Sequence, residues 1–184
     1  NSNLQPEEST TIELGNKAQY AAFAYRASLY YRVGKNIIDW AKKENEEVWI
    51  SRNIANVNAI GIETSVQYAF KQILNHIEVS YAFCHLNKKS GEYISKYALD
   101  YLRHSFSISI EHRIYKNLGA NWQFTTQNRS GSYYNAANET TEYKPFSILD
   151  AQIFLKTGNA KIHLDVSNIF NKAYVDYGGI EQPG

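Results

Sequence analysis

The residue types of a hydrolase triad stand close together near the end of the chain, at His163, Asp165 and Ser167. If this segment is a β-strand, all three side chains lie on one face, because strand side chains alternate with a period of two. Same-face neighbours are then roughly 6–7 Å apart, whereas a triad requires hydrogen-bond distances of about 2.6–3.2 Å. We therefore interpret these residues as the polar face of a strand, and we expect no catalytic site and no enzyme activity.

Metal and cofactor chemistry has little support. The histidines are dispersed and lack the spacing of metal ligands; they are His76, His85, His104, His112 and His163. The acidic residues Glu44, Glu46 and Glu47 offer oxygen ligands for a divalent cation, but a solvated loop is the interpretation we favour. The single Cys84 forms neither an intramolecular disulfide nor a cysteine metal site, and no glycine motif for phosphate is present. We predict no metal site and no cofactor.

Recognition of a small ligand is better supported. Polar stretches of the chain carry aromatic side chains, which supply rigid contact area, and arginines, which recognise anions. The candidate ligand contacts are Trp40, Trp49, Arg52, Tyr93, Tyr97, Tyr101, Arg103, Tyr133 and Tyr134.

The elements that must position these residues are alternating segments, of which 21–33 is the clearest. Its odd positions are almost all apolar, while its even positions include Arg26 and Arg32. Globular strands usually have about 5–6 residues, whereas a tilted membrane strand needs roughly 9–11 within the bilayer. This segment therefore has the length and pattern of a membrane strand.

Eight such segments occur, and the connections between them alternate short with long. The segments are 9–17, 21–33, 60–70, 77–84, 105–114, 120–127, 149–155 and 162–170. The long connections are predicted at 36–56, 87–103 and 128–145, with a further one after the eighth segment. Consecutive antiparallel strands place all short turns at one end and all long loops at the other, as in bacterial outer-membrane barrels.

A soluble β-sandwich or up-and-down barrel also alternates, and it is the alternative fold. Sandwich strands are shorter, and their outward face is polar. Here the polar face carries Arg, Glu, Lys and Asp in many strands, which suits a wet lumen better than a packed core. The sequence predicts an all-β fold, an antiparallel transmembrane β-barrel segment with about eight long strands.

Composition agrees with this prediction and excludes other classes. The chain has 184 residues, a net charge of +1, 14% aromatic residues and 15 tyrosines. Without a strong positive field, nucleic acid is not an expected partner. No stretch approaches 18 apolar residues, so we predict no transmembrane helix. The chain begins at Asn1 without a signal peptide, so we expect a processed product or, preferably, a piece of a longer protein.

Three motifs resemble those of TonB-dependent outer-membrane receptors. Residues 164–184 read L-D-V-S-N-I-F-N-K-A-Y-V-D-Y-G-G-I-E-Q-P-G, similar to the penultimate-strand signature N-[LI]-F-[ND]-K-x-Y followed by a Tyr/Gly loop and P-G-R. Residues 3–15 resemble the segment N-L-x-P-E-x-S-x-x-x-E-x-G, and residues 58–63 resemble N-x-x-G-x-E. The motifs keep the family's order and span the whole chain.

The resemblance implies that residues 1–184 are the C-terminal part of a barrel of about 22 strands. The family's last strand, plug domain and TonB box are expected to lie outside this chain. Such a piece leaves two unpaired sheet edges, which are costly in lipid, so it cannot transport by itself.

By resemblance, the whole protein is expected in the bacterial outer membrane, in contact with lipid. It is expected to import a scarce large nutrient, cobalamin or a ferric siderophore, with energy delivered by the TonB complex. A passive porin-like channel is the alternative function, and an outer-membrane enzyme ranks third.

Overall fold

The computed structural model describes residues 3–71, 73–89, 92–96, 100–137 and 139–183. It consists of strands and one 3-10 helix, Tyr177–Gly179. In chain order the strands are β1 (Glu8–Tyr20), β2 (Phe23–Lys43), β3 (Ile50–Ala69), β4 (Leu74–Lys89), β5 (Tyr93–Ser95), β6 (Tyr101–Tyr115), β7 (Leu118–Ser130), β8 (Ser132–Tyr134), β9 (Thr140–Glu142), β10 (Phe146–Thr157), β11 (Ala160–Val166), β12 (Tyr174–Val175) and β13 (Glu181–Gln182). Within the described residues, no helix is both long and apolar enough to cross a bilayer.

The eight long strands form one antiparallel sheet in the order β1-β2-β3-β4-β6-β7-β10-β11. Each strand therefore pairs with the next long strand along the chain, which confirms the predicted all-β fold with eight long strands. Turns of a few residues join β1 to β2, β3 to β4, β6 to β7 and β10 to β11. The other connections lie at the opposite end of the sheet, which we call the loop end.

The two faces of the sheet differ in polarity, as two adjacent register rows of β1 to β4 show. Leu14, Leu29, Ile62 and Phe83 stand opposite one another on β1 to β4 and form an apolar row. Leu29 is 45% exposed and Ile62 is 46% exposed, so this apolar face, which we call the outer face, has no protein cover. The adjacent row carries Ser28 and Glu63 on the other, inner face.

The hairpin of β2 and β3 is longer than the sequence predicts. Residues 36–56, expected to be a polar connection, mostly belong to the strands, because β2 continues to Lys43 and β3 begins at Ile50. Register shifts between Gly34 and Ile38 interrupt the alternation, and Asn36 has φ 57°. Since a bulge moves side chains to the other face, the sequence pattern ends there while strand pairing continues.

The upper part of this hairpin has a small apolar core of its own. Ala41, Ile54 and Val57 are buried and pack with Ile37, Leu86 and Tyr93. Tyr93 belongs to β5, which pairs with the edge of β2 opposite β3, beyond the point where the pairing with β1 ends. The chain therefore crosses the hairpin between β4 and β5, and this crossing stabilises strands that extend roughly ten residues beyond the membrane-spanning length.

The remaining long connections also contain local structure. Residues 87–103 include the end of β4, all of β5 and the start of β6, and residues 128–145 contain the β8–β9 hairpin. The eighth strand ends at Val166, earlier than the predicted limit of residue 170. Asn168 and Asn171 adopt positive φ angles of 49° and 51°, and this left-handed backbone places Phe170 in a turn rather than on the outer face.

Candidate functional site

The loop end brings together candidate ligand contacts that are far apart in the chain. Trp49 precedes β3, Tyr93 lies on β5 and Tyr134 lies on β8. The rings of Trp49 and Tyr134 are 5.9 Å apart with an interplanar angle of 74°. Of the nine residues predicted from sequence, Trp49 and Tyr134 make one direct contact between separate predicted connections, and Arg52 and Tyr93 make another.

Two lysines that the sequence analysis did not select complete this group. Lys42 Nζ lies 5.2 Å from the Trp49 ring centroid and 5.4 Å from that of Tyr134. Lys96 Nζ lies 5.7 Å from the Trp49 ring centroid. We call Lys42, Trp49, Lys96 and Tyr134 the lysine–aromatic cluster, and its ammonium groups are at distances at which cations and aromatic faces attract each other.

A cleft of about 290 Å³ adjoins this cluster. Its walls come from the end of β5 and from the β8–β9 hairpin, and Gly178 of the 3-10 helix completes it. The lining residues include Lys96, Ser132, Tyr133, Tyr134 and Thr140. A cation, hydroxyl groups and aromatic faces thus surround one concave surface, and these groups suit a ligand with both anionic and planar parts.

Arg52, in contrast, is engaged within the protein. Its Nη2 lies 2.9 Å from Glu46 Oε2, and its guanidinium lies 5.2 Å from the Tyr93 ring centroid. Hydrogen bonding from the Lys43 backbone N–H, followed by that from Arg52, lowers the pKa of Glu46. The hydrogen bond to Glu46 raises the pKa of Arg52. This pair closes the β2–β3 turn, so Arg52 is a structural residue of the hairpin tip.

Lys43 is also paired. Its Nζ donates to Glu92 Oε2 at 3.0 Å, and this hydrogen bond raises the pKa of Lys43. The ammonium group additionally lies 5.7 Å from the Tyr93 ring centroid. The tip of the hairpin therefore carries neutralised charges at Lys43 and Arg52, beside the lysine–aromatic cluster.

A second group fixes the loops against each other, and the sequence analysis missed it. We call Asp100, Arg129, Tyr143, Asp176 and Tyr177 the loop-docking cluster. Arg129 Nη2 lies 3.0 Å from Asp176 Oδ1, and its guanidinium lies 5.2 Å from the Tyr177 ring centroid. Tyr143 donates a hydrogen bond to Asp100 Oδ2 at 3.0 Å. These contacts join the β4–β6 connection, β7, the β9–β10 connection and the segment after β11.

Burial controls the electrostatics of this second group. Desolvation raises the pKa of Asp100, and the hydrogen bond from Tyr143 offsets part of that effect. Desolvation also raises the pKa of Tyr143, with the charge of Asp100 adding to it. The loop-docking cluster is therefore a partly desolvated polar network, and its role is to position the loops around the cleft.

The other predicted contacts lie at the loop end but outside the lysine–aromatic cluster. Trp40 is 52% exposed on β2, and Tyr133 packs against Tyr143 with ring centroids 5.0 Å apart. Tyr101 pairs with Ser130 at the start of β6, and Arg103 is exposed at a bulge two residues later. Tyr97 lies outside the described residues.

The residues of the two clusters that were not predicted from sequence carry weak sequence signals. Lys42 and Lys96 stand in polar stretches where lysine is ordinarily solvated. Asp176 and Tyr177 were part of the tail motif but had no assigned contact. Only the pairing of β5 with β2 and the return of the tail to the loop end bring these residues together.

The triad residue types on β11 do not assemble into a triad. His163 Nε2 lies 3.3 Å from Asp165 Oδ2, closer than strand spacing alone predicts. Asp165 Oδ1 also accepts a hydrogen bond from Gln152 Nε2 at 2.6 Å. Ser167 lies beyond the end of β11, and no hydrogen bond joins it to His163 in the described part of the chain.

The acidic run at the tip of the β2–β3 hairpin does not gather ligands around one point. Glu46 is occupied by Arg52 and the Lys43 backbone. Across the residues that the structure describes, no group of three or more His, Cys, Asp or Glu side chains is placed to hold a metal ion.

Comparison with known proteins places the sheet in a family. The sequence matches the family described as TonB dependent receptor-like, beta-barrel, over residues 1–169. No curated protein matches the chain.

Solved structures share its fold at low sequence identity. The FrpB iron transporter from Neisseria meningitidis (F3-3 variant) superimposes with a TM-score of 0.72 at 16% identity, over 98% of this chain and 30% of that chain. The copper transporter OprC gives 0.75 at 13% identity, over 100% and 30%. The pyoverdine outer membrane receptor FpvA from Pseudomonas aeruginosa PAO1 gives 0.69 at 15% identity, over 98% and 28%. The chain thus spans about 30% of the length of these proteins.

Proposed function

Because the chain belongs to the TonB-dependent receptor β-barrel family, we propose that the whole protein imports a scarce nutrient across the bacterial outer membrane with energy from the TonB complex. In this proposal residues 1–184 form the C-terminal part of the barrel wall. TonB acts on the receptor at a place other than these wall strands. The ligand is a molecule too large for porins, either cobalamin or a ferric siderophore.

One observation carries the membrane part of this proposal. The outer face of the sheet exposes rows of large apolar side chains, such as Leu14, Leu29 and Ile62. A soluble protein rarely exposes a continuous apolar surface of this size, whereas lipid contact makes it favourable. The inner face carries polar side chains, which suit a lumen.

The ligand-binding part is supported by the loop end. The aromatic, cationic and hydroxyl groups of the lysine–aromatic cluster and its cleft lie where an incoming molecule meets the receptor first. The loop-docking cluster holds this surface in one arrangement, which reduces the conformational entropy that binding would otherwise cost. Among the similar structures, FrpB is named an iron transporter and FpvA a pyoverdine receptor, and these names support a siderophore.

The polar inner face also favours a second candidate, a passive porin-like channel. Arg26, Glu63 and Glu78 border hollows on that face, as side chains of a water-filled pore do. The two functions differ in their need for energy, because a channel conducts solutes down their gradient without TonB.

Uptake measurements distinguish these functions. The full-length receptor is produced in a bacterium with TonB and in an otherwise identical strain without it. We expect accumulation of a labelled ferric siderophore or of labelled cyanocobalamin only where TonB is present. Equal uptake in both strains would contradict the importer and support the channel.

A further inference from the structure

We propose that a belt of uncharged polar side chains on the outer face is a docking surface for the saccharide headgroup of a glycolipid in the outer leaflet of the membrane. The outer polar belt, which lies on β3, β4, β6, β7 and β10, consists of Asn58, His85, Asn87, His104, Thr126, Asn128 and Ser147. This inference goes beyond the proposed function, because it concerns the lipid around the barrel wall rather than the imported molecule.

The slope of the belt across the sheet is the first argument. Its highest register row pairs Asn58 with Asn87, and its lowest row pairs Thr126 with Ser147. Over the four strand-to-strand steps from β3 to β10, the belt falls by six residues toward the turns. With strands about 4.8 Å apart and a rise of about 3.3 Å per residue, this slope is about 45°. Since membrane-barrel strands are tilted by roughly 35–45°, the belt has the slope of a membrane plane drawn across tilted strands.

The distance from the belt to the turns is the second argument, because it is the same at both sides of the sheet. Asn58 is ten residues from Tyr68, which stands in the row nearest the turns in the pairing of β2 with β3. Ser147 is ten residues from Thr157, which closes the β10–β11 hairpin. A membrane strand needs roughly 9–11 residues within the bilayer. The belt therefore lies one membrane thickness from the turns, at the level of the outer-leaflet headgroups.

The chemistry of the belt is the third argument. Among the residues that the structure describes, the side chains of Asn58, His85, Asn87 and Asn128 have no hydrogen-bond partner. An unpaired amide is costly among lipid chains, but it can donate to one sugar hydroxyl and accept from another. Phosphate is bound mainly by Arg and Lys, and neither occupies a described outer-face position between the belt and the turns on these five strands. The belt therefore suits sugar hydroxyl groups better than lipid phosphates.

The orientation of His104 is the fourth argument. The Tyr81 hydroxyl oxygen is hydrogen-bonded to His104 Nδ1 at 2.9 Å, and the Phe83 ring centroid lies 5.1 Å from that of the imidazole. These contacts fix the ring and occupy one of its two nitrogens. The other nitrogen, Nε2, has no partner in the described part of the chain. It is therefore available to a hydroxyl group outside the protein, and little conformational freedom is lost when it binds.

The test measures lipid binding to the purified full-length receptor by native mass spectrometry. The probes are lipid A without its phosphates, which keeps the acylated glucosamine disaccharide, unmodified lipid A, and phosphatidic acid, which has a phosphate and no sugar. We expect both forms of lipid A to bind the wild type equally and phosphatidic acid to bind more weakly. The double variant Asn58→Leu/Asn87→Leu is expected to weaken binding of the dephosphorylated probe about tenfold, as for the loss of two hydrogen-bonding side chains.

His112→Leu is the matched control. His112 is a second outer-face imidazole on β6, but it lies near the turns, where Trp122 Nε1 donates to its Nε2 at 3.0 Å. This variant is expected to bind the dephosphorylated probe as the wild type does. His104→Leu removes a belt side chain from the same strand and is expected to weaken binding, so it tests the belt even if the double variant does not fold.

Several results would overturn the docking surface. They are unchanged binding of the dephosphorylated probe in the belt variants, an equal loss in His112→Leu, or a wild type that needs the lipid phosphates or binds phosphatidic acid as well as lipid A. Lipid binding is measured without TonB and without an imported ligand, so the two proposals fail separately. Uptake that does not depend on TonB contradicts only the importer, whereas lipid binding that does not depend on the belt contradicts only the docking surface.

Discussion

Tyr143 donates a hydrogen bond to Asp100 Oδ2 at 3.0 Å and so ties the β9–β10 connection to the segment before β6. The same hydroxyl oxygen accepts the backbone N–H of Gly178 at 3.1 Å. One phenol therefore links three connections that are separated by up to 78 positions between Asp100 and Gly178.

Loop docking is predicted to weaken as the pH rises above the ordinary range of a carboxyl group. Burial raises the pKa of Asp100 from 3.8 in the docked state, so docking favours the protonated carboxyl. The stabilisation is complete below about pH 3.8 and is lost as the pH increases through the raised pKa. Hydrogen exchange of the Gly178 amide in the full-length receptor, corrected for its intrinsic pH dependence, measures docking.

The variant Asp100→Asn distinguishes the effect of the Asp100 charge on docking from the effect of its hydrogen bond with Tyr143. Asparagine keeps an oxygen that accepts from Tyr143 and cannot ionise, so its docking free energy is expected to be flat over the same pH range. A pH slope identical to that of the wild type would assign the effect to another group.

Gly119 is predicted to resist substitution because Phe154 occupies the space of a side chain. A Cβ at position 119 would overlap Phe154 Cζ and lie 2.7 Å from Cε2. Phe154 is buried and stands opposite Gly119 on β10. Gly119→Ala is therefore expected to reduce the free energy of unfolding by about 1–3 kcal/mol, as overpacking does. Urea unfolding of the full-length receptor measures this change.

Gly15→Ala is the matched control for that substitution. The atoms nearest to a Cβ at position 15 are 3.7 Å and 3.8 Å away, an ordinary contact distance. Alanine there is expected to be neutral or slightly stabilising, because it restricts the unfolded chain. Equal destabilisation by both alanines would show that strand glycines matter for another reason than the ring of Phe154.

Leu29 and Ser28 are predicted to respond oppositely to a charge, although they are adjacent in sequence. Leu29 stands on the outer face opposite Ile62, whereas Ser28 stands on the inner face opposite Glu63. Arginine at position 29 is expected to cost about 2–4 kcal/mol near the bilayer midplane. Ser28→Arg is expected to be tolerated beside the Glu63 carboxylate. The readout is the yield of folded full-length barrel in outer-membrane fractions, and equal loss for both variants would contradict lipid exposure of the Leu29 face.

Sequence reasoning predicted the long strands well and the loop end poorly. The two faces of β2 to β4 follow from alternation, which is a local property of the chain and independent of distant contacts. The upper part of the β2–β3 hairpin escaped prediction because the bulge at Asn36 changes the phase of the pattern. Beyond it, burial of Ala41 under Tyr93 replaces alternation as the reason for strand pairing.

The candidate ligand contacts show the same division. Residue type alone selected Trp49 and Tyr134, because aromatic side chains supply large, rigid contact area. It also selected Arg52, which is paired with Glu46, and it did not select Lys42, which lies against both rings. The residue type indicates which interactions a side chain can make. The residues around it in the folded protein decide whether it is free to make them with a ligand.

The sequence by itself determined a sheet of eight long antiparallel strands with one apolar and one polar face, because both the side-chain period of two and the alternation of short with long connections are local properties of the chain. Three sequence motifs then indicated the protein family to which this sheet belongs. Only the tertiary structure decided which loop residues meet, since the contacts of Lys42 with Tyr134 and of Arg129 with Asp176 join segments 92 and 47 positions apart. Such contacts follow from β5 crossing to β2 and from the tail returning to the loop end, and no local pattern encodes them.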